Sequence, residues 1–127
     1  IANDHAPHTA QEKNQPMDKA PFGIVSLETS FALLYTEFVV NQKRWSLPQL
    51  VNWMSKAPAK RFKLDGIGEI KEGNDADIIL VDMNHEYTID ASKFESMGKN
   101  TPFDGWKVAC QIKQTFVKGK EVWKKEA

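Results

Sequence analysis

Residues 1–8 read Ile1-Ala2-Asn3-Asp4-His5-Ala6-Pro7-His8. The first four have strand-like character, and a carboxylate and two imidazoles follow at once. An aspartate at the C-terminal end of a strand, next to a loop with two histidines, gathers proton- and cation-binding groups at one rim. The spacing alone leaves a second reading open, because aspartates in turns often cap a backbone amide. No methionine or signal-peptide pattern precedes Ile1, and strand runs straight into loop. That pattern suggests a longer protein entered mid-strand; the competing reading is a processed or tagged small protein.

Outward from this stretch, His5 to Phe22 reads as a long loop without regular structure, poor in apolar residues between Gln11 and Lys19 and ending in Ala20-Pro21-Phe22-Gly23. Loops of such length are often functional. Ile24, Leu27, Phe31, Leu34, Tyr35 and Phe38 share one helical face, which predicts a helix over 24–40. Ser46 and Gln49 have capping-box spacing, with Pro48 in the first turn of a helix over 46–56 that Pro58 should stop. The character then changes near Lys63 to Gly66. Ile67–Lys71 and Asp77–Asp82 read as strands, the run Ile78-Ile79-Leu80-Val81 as one covered on both faces. Glu86–Ile89 is a further short strand, followed by a helical turn near Ser92–Phe94. Alternation from Trp106 to Lys113 predicts another strand, and Lys118-Gly119-Lys120 the turn of a hairpin. Two units follow, residues 1–63 and 64–127, the second mostly antiparallel sheet.

Bulk properties narrow the function. Lysine plus arginine number 17 and aspartate plus glutamate number 17, so charge gives no case for nucleic acid or an anionic membrane. No apolar run approaches the roughly 20 residues of a membrane span. The single cysteine, Cys110, allows no intrachain disulfide and fits a cytoplasmic setting. It alternates onto an apolar face as a core thiol. His85 reads as solvated surface, and Trp45, Trp53, Trp106 and Trp123 as packing residues.

The stretch Ile1–His8, with Glu12-Lys13 and Ala20-Pro21-Phe22-Gly23-Ile24, resembles the segment around the last barrel strand of type I dihydroorotases, zinc-dependent members of the amidohydrolase superfamily. The second half resembles their C-terminal segment: Pro58-Ala59 and Phe62, then Gly68, Ile70, Gly73, Ala76-Asp77-Ile78, then Asn100-Thr101-Pro102-Phe103 with Gly105, then Thr115, Val117, Gly119-Lys120 and Val122. The glycine-rich part is shared with hydantoinases, allantoinases and ureases; the Asp-His-Ala-Pro-His run with Pro-Phe-Gly downstream narrows it to dihydroorotase. Two positions depart from the family pattern: Asn3 stands where threonine is usual, and Cys110 where glycine is more frequent.

The resemblance implies an α/β fold: the C-terminal end of a (β/α)8 barrel, whose rim carries active sites, followed by part of a small, mostly antiparallel β-sandwich. It implies reversible hydrolysis of dihydroorotate to N-carbamoyl-aspartate, a step of pyrimidine synthesis, with zinc-bound water as nucleophile. Asp4 matches the metal ligand and general acid/base, His8 the residue that holds the substrate carboxylate, and the backbone of Phe22 and Gly23 the loop that bonds the pyrimidine ring. His5 is then a structural hydrogen-bonding group. One or two zinc ions are implied, but the family's other ligands (a His-x-His pair, a carboxylated lysine and two more histidines) and its substrate-clamping arginine and asparagine lie upstream, so the 127-residue piece is expected to be inactive alone. Expected partners are the rest of the barrel, a second copy in a homodimer and, for some type I members, aspartate transcarbamoylase. The alternatives are another cyclic amidase, such as a hydantoinase or allantoinase, and a non-catalytic scaffold relative.

Overall fold

A computed structural model describes residues 1–126. Before residue 63 the chain is helical and looped; after it the regular structure is mainly short antiparallel strands.

The region expected as one long loop contains a short helix, α1 (Ala10–Lys13). Its capping box explains it: Thr9 Oγ1 accepts from the Glu12 N–H, and a Glu12 carboxylate oxygen accepts from the Thr9 N–H. These bonds satisfy end groups that the α1 sequence, almost without apolar residues, cannot bury. No strand forms over Ile1–Asp4; the chain makes a single parallel bridge just after it, His5 to Ile24.

That bridge also corrects the helix expected from Ile24. The Ile24 carbonyl accepts the Ala6 N–H at 2.9 Å, which commits Ile24 to extended backbone. Helix α2 (Ser30–Leu34) starts later and widens into a π-helical stretch, Tyr35–Asn41. The predicted capping box at Ser46 and Gln49 is present and starts α3 (Leu47–Val51). Pro58 does not stop the helix. A second π stretch, Asn52–Lys56, leads into α4 (Ala57–Arg61), where Pro58 lies in the first turn and has no N–H to leave unbonded. Leu50 is fully buried, and Trp45 stacks on Phe38 at 4.1 Å and meets Trp53 edge-on at 5.0 Å.

No strand forms over Ile67–Lys71. Gly66 and Gly68 have φ of +76° and +87°, outside strand geometry. Strand β1 (Ile78–Asp82) pairs with one neighbour only, and Ile79 and Leu80 are 43% and 46% exposed, so it is not covered on both faces as expected. Strands β2 (Tyr87–Thr88) and β3 (Lys107–Val108) form a two-stranded sheet, and Ala91–Lys93 is a 3₁₀ turn. The strand expected from Trp106 to Lys113 is interrupted at Ala109-Cys110, where the Ala109 N–H turns to Thr36 Oγ1 at 2.9 Å. The backbone resumes as β4 (Gln111–Val117), central in a sheet of order β1-β4-β5 with β5 (Lys120–Lys124). Lys118 and Gly119 join β4 to β5 with φ of +50° and +75°, the two positive angles of a type I′ hairpin turn.

The core joins these parts. Ala32 from α2 packs with Ile89, Val108 and Cys110, and around them lie Phe31, Tyr35, Val81, Tyr87 and Phe103. Each fully buried aliphatic side chain contributes about 1.5–3 kcal/mol. Cys110 has no exposed surface, and burial pushes its thiol up to about 11. Burial also raises the Tyr87 phenol, with Cys110 adding to the shift. Both groups are neutral when protonated, and raised folded values stabilise the fold below the unfolded thiol value of about 8.5. That stabilisation is lost as pH climbs toward 11. Denaturant unfolding should show a lower midpoint at about pH 10.5 than at about pH 8, and Cys110→Ala should flatten this pH dependence.

Candidate functional site

The parallel bridge between His5 and Ile24 sets two segments side by side, and each of the predicted site residues belongs to one of them. His5 fixes the junction. Its Nδ1 accepts from the Ser26 N–H at 3.1 Å and the Leu27 N–H at 3.3 Å. One imidazole thereby satisfies two backbone donors at the end of the second segment, as expected of a structural group. Asn3 adds to the junction: its Nδ2 donates to Ser30 Oγ at 2.9 Å, and the Ser26 hydroxyl bonds the Asn3 side chain. The departure from threonine at this position is therefore filled by a residue that bonds two serines.

Asp4 follows on the first segment. It is exposed and takes a φ of +48°, a left-handed conformation that aspartate tolerates better than most residues. Among the described residues its carboxylate has no hydrogen-bond or ion-pair partner, so both oxygens are available to a ligand. It fits a cation as one oxygen donor. No group of three His, Cys, Asp or Glu side chains among the described residues is arranged to hold a metal, so Asp4 would be one member of a larger donor set.

His8 is half-buried. Its Nε2 lies 2.8 Å from the Phe22 carbonyl and donates to it, and its Nδ1 lies 3.8 Å from the Glu12 carboxylate. Hydrogen bonds from Thr9 hold the Glu12 carboxyl below the usual carboxylate range, with His8 adding a smaller effect. With Nε2 committed, His8 can offer a second donor only as the imidazolium, from Nδ1. Phe22 is 92% exposed. Gly23 has φ +112°, and a Cβ there would overlap the Ala6 Cβ. The structure thus brings His8, Phe22 and Gly23 together, with Asp4 four residues before His8 on the same segment.

Three contributors were not singled out from sequence. Asn100 bonds the Ala6 and Gly23 carbonyls and the His8 N–H. Lys13 bonds the Pro21 and Gly23 carbonyls. Gly98 sits where a Cβ would lie 2.8 Å from Pro7 Cβ and 2.9 Å from the His8 nitrogen. Asn100 and Lys13 stand inside the motif matches, so the available signal was membership of a motif without a visible role. A cleft of about 520 Å³, lined by residues such as Tyr87, Gln111 and Trp123, includes none of Asp4, His8, Phe22 or Gly23.

Comparison with known proteins identifies the family. The sequence profile described as Amidohydrolase family matches residues 2–122. The chain belongs to the amidohydrolase family. Among similar amidohydrolases, the dihydroorotase of Anoxybacillus flavithermus is 53% identical over 125 residues, covering 98% of this chain and 29% of the relative. The chain therefore spans under a third of the length of such curated relatives. Two solved amidohydrolases share its structure. An L-hydantoinase from Arthrobacter aurescens has a TM-score of 0.78 at 38% identity, over 86% of this chain and 24% of the other. A D-hydantoinase from a Bacillus species has a TM-score of 0.86 at 29% identity, over 95% and 27%.

Gly23→Ala should test the loop geometry directly. The added Cβ meets Ala6 in a conformation L-residues rarely adopt, and the expected cost is about 1–3 kcal/mol, read as a lower denaturant midpoint.

Proposed function

We propose that this chain supplies the last part of a dihydroorotase active site. In this reading residues 1–63 are the end of the (β/α)8 barrel with its active-site loop, and residues 64–127 belong to a small β-sandwich. The observation that carries the proposal is the junction of the two loop segments: the His8 Nε2 bond to Phe22 at 2.8 Å sets the imidazole against the Pro21–Gly23 turn. The 53% identity to a dihydroorotase supports the choice of substrate.

The chemistry proposed is the breaking of a ring amide C–N bond as water forms a new C–O bond. Asp4 would be one ligand of a zinc ion, which when bound would lower the pKa of a water and so provide the nucleophile. The Asp4 carboxylate takes the proton from the attacking water and passes it to the departing ring nitrogen. Its free oxygens and exposed position suit that shuttle. His8 holds the substrate carboxylate while its Nε2 stays on Phe22. The main chain of Phe22 and Gly23 bonds the ring. The remaining ligands belong to the rest of a longer protein, so the 127 residues alone are inactive in this reading.

A second specificity, for hydantoin-like rings, is favoured by the likeness to hydantoinase structures. Substrate profiling of the full-length protein separates the two. We place the protein in the cytoplasm as a homodimer, with aspartate transcarbamoylase a partner to be tested by co-sedimentation. Among the described residues no helix is long and apolar enough to cross a membrane.

In the zinc-loaded full-length protein, dihydroorotate should be hydrolysed faster than hydantoin or dihydrouracil. Asp4→Ala should lower kcat by about 10²–10⁴, and His8→Ala should mainly raise KM. Ordinary turnover in the Asp4 variant would sink the proposed mechanism.

A further inference from the structure

Asn100 lies 92 positions after His8 in sequence, yet its side chain bonds only to the loop segments described above. Oδ1 accepts the His8 N–H at 3.0 Å, and Nδ2 donates to the Ala6 carbonyl at 3.2 Å and the Gly23 carbonyl at 3.1 Å. Both amide hydrogens and one oxygen are used. Joining the two parts of the chain does not require them, because the Asn100 main-chain carbonyl already accepts the Val25 N–H at 2.8 Å. The side chain therefore does something beyond tethering.

The carbonyls of the loop show what. Pro21 O receives the Lys13 ammonium at 3.0 Å, Phe22 O receives His8 Nε2 at 2.8 Å, and Gly23 O receives Asn100 Nδ2, with Lys13 again at 3.3 Å. Three consecutive carbonyls are thus held by side chains. In a planar trans peptide the C=O and the next N–H point in opposite directions. Holding the Pro21 and Phe22 oxygens turns the Phe22 and Gly23 N–H groups the other way, and among the described residues nothing accepts from either.

We propose that Asn100, through the His8 main chain and the Gly23 carbonyl, and Lys13, through the Pro21 carbonyl, are positioning residues that hold the Pro21–Gly23 main chain so that the Phe22 and Gly23 N–H groups face the acceptor atoms of the substrate. The assignment rests on the reading that this loop binds the substrate ring. Asn100 does not touch the substrate; it acts through His8 and Gly23.

The test uses the zinc-loaded full-length protein, with steady-state kinetics on dihydroorotate and amide hydrogen exchange on the same samples. Asn100→Ala should raise KM about tenfold or more while kcat stays within about threefold. Exchange at the His8 N–H should accelerate, and the Val25 N–H, bonded to the Asn100 main chain, should stay protected. Asn100→Asp keeps the acceptor for His8 but sets a carboxylate against two carbonyls; KM should rise as in the alanine variant while His8 stays protected. An unchanged KM, or a fall in kcat with Val25 exchanging as fast as His8, overturns the assignment, since general loosening would do the latter. If neither Asn100 variant folds, Lys13→Met loosens the same loop from its other side and must show the same rise in KM; an unchanged KM there also overturns it. If the wild-type protein does not hydrolyse dihydroorotate, the substrate reading falls by itself, and Asn100 is judged on the exchange at His8 and Val25.

Discussion

The arrangement around the candidate site depends on a parallel contact one residue wide, the bridge of His5 to Ile24 with the Ala6 N–H on the Ile24 carbonyl. Parallel segments cannot be joined by a tight turn and need a long crossover. The crossover here is Pro7–Gly23, and it carries His8, Phe22 and Gly23. The loop is long because its two ends must run in the same direction. Closure entropy grows only slowly with loop length, so the extra residues cost little provided that something orders them. The Thr9 capping box, Lys13 and His8 do so from within, and Asn100 does so from outside.

A network of polar side chains helps to hold the ends of the crossover. His5 satisfies two N–H groups, and Asn3, Ser26 and Ser30 satisfy one another. A net hydrogen bond contributes only about 0.5–1.5 kcal/mol, but a buried donor left without a partner costs about 1–3 kcal/mol. The network thus specifies one geometry more than it adds stability. The apolar contribution comes from Val25, fully buried next to the bridge, and from the cluster where Ala32 of α2 meets Ile89, Val108 and Cys110.

Motif and turn chemistry were the legible part of this fold. The Ser46 capping box, the Lys118-Gly119 hairpin and the buried Cys110 all follow from local rules that the structure obeys. Periodicity misled where a distant partner intervened. Ile24 has helical spacing with Leu27 and Phe31, but its main chain is claimed by Ala6. Ile67–Lys71 has strand-like composition, but Gly66 and Gly68 bend the backbone out of any ladder. For the proposed site, Asp4, His8, Phe22 and Gly23 were reached through the family resemblance that residues 1–8 and 20–24 carry. Asn100 could not be given a role, because its value lies in three bonds to residues at least 77 positions away.

In the proposed reading Asp4 meets a chemical and a conformational demand at one position. Its φ of +48° is a left-handed conformation that asparagine and aspartate enter more readily than most residues, although Lys43, Lys63 and Lys118 also adopt it here. In that reading glutamate would keep the carboxylate but strain the backbone more, and asparagine would keep the backbone but surrender the charge. Aspartate meets both demands at the lowest cost, and exchange for either neighbour gives up one of them.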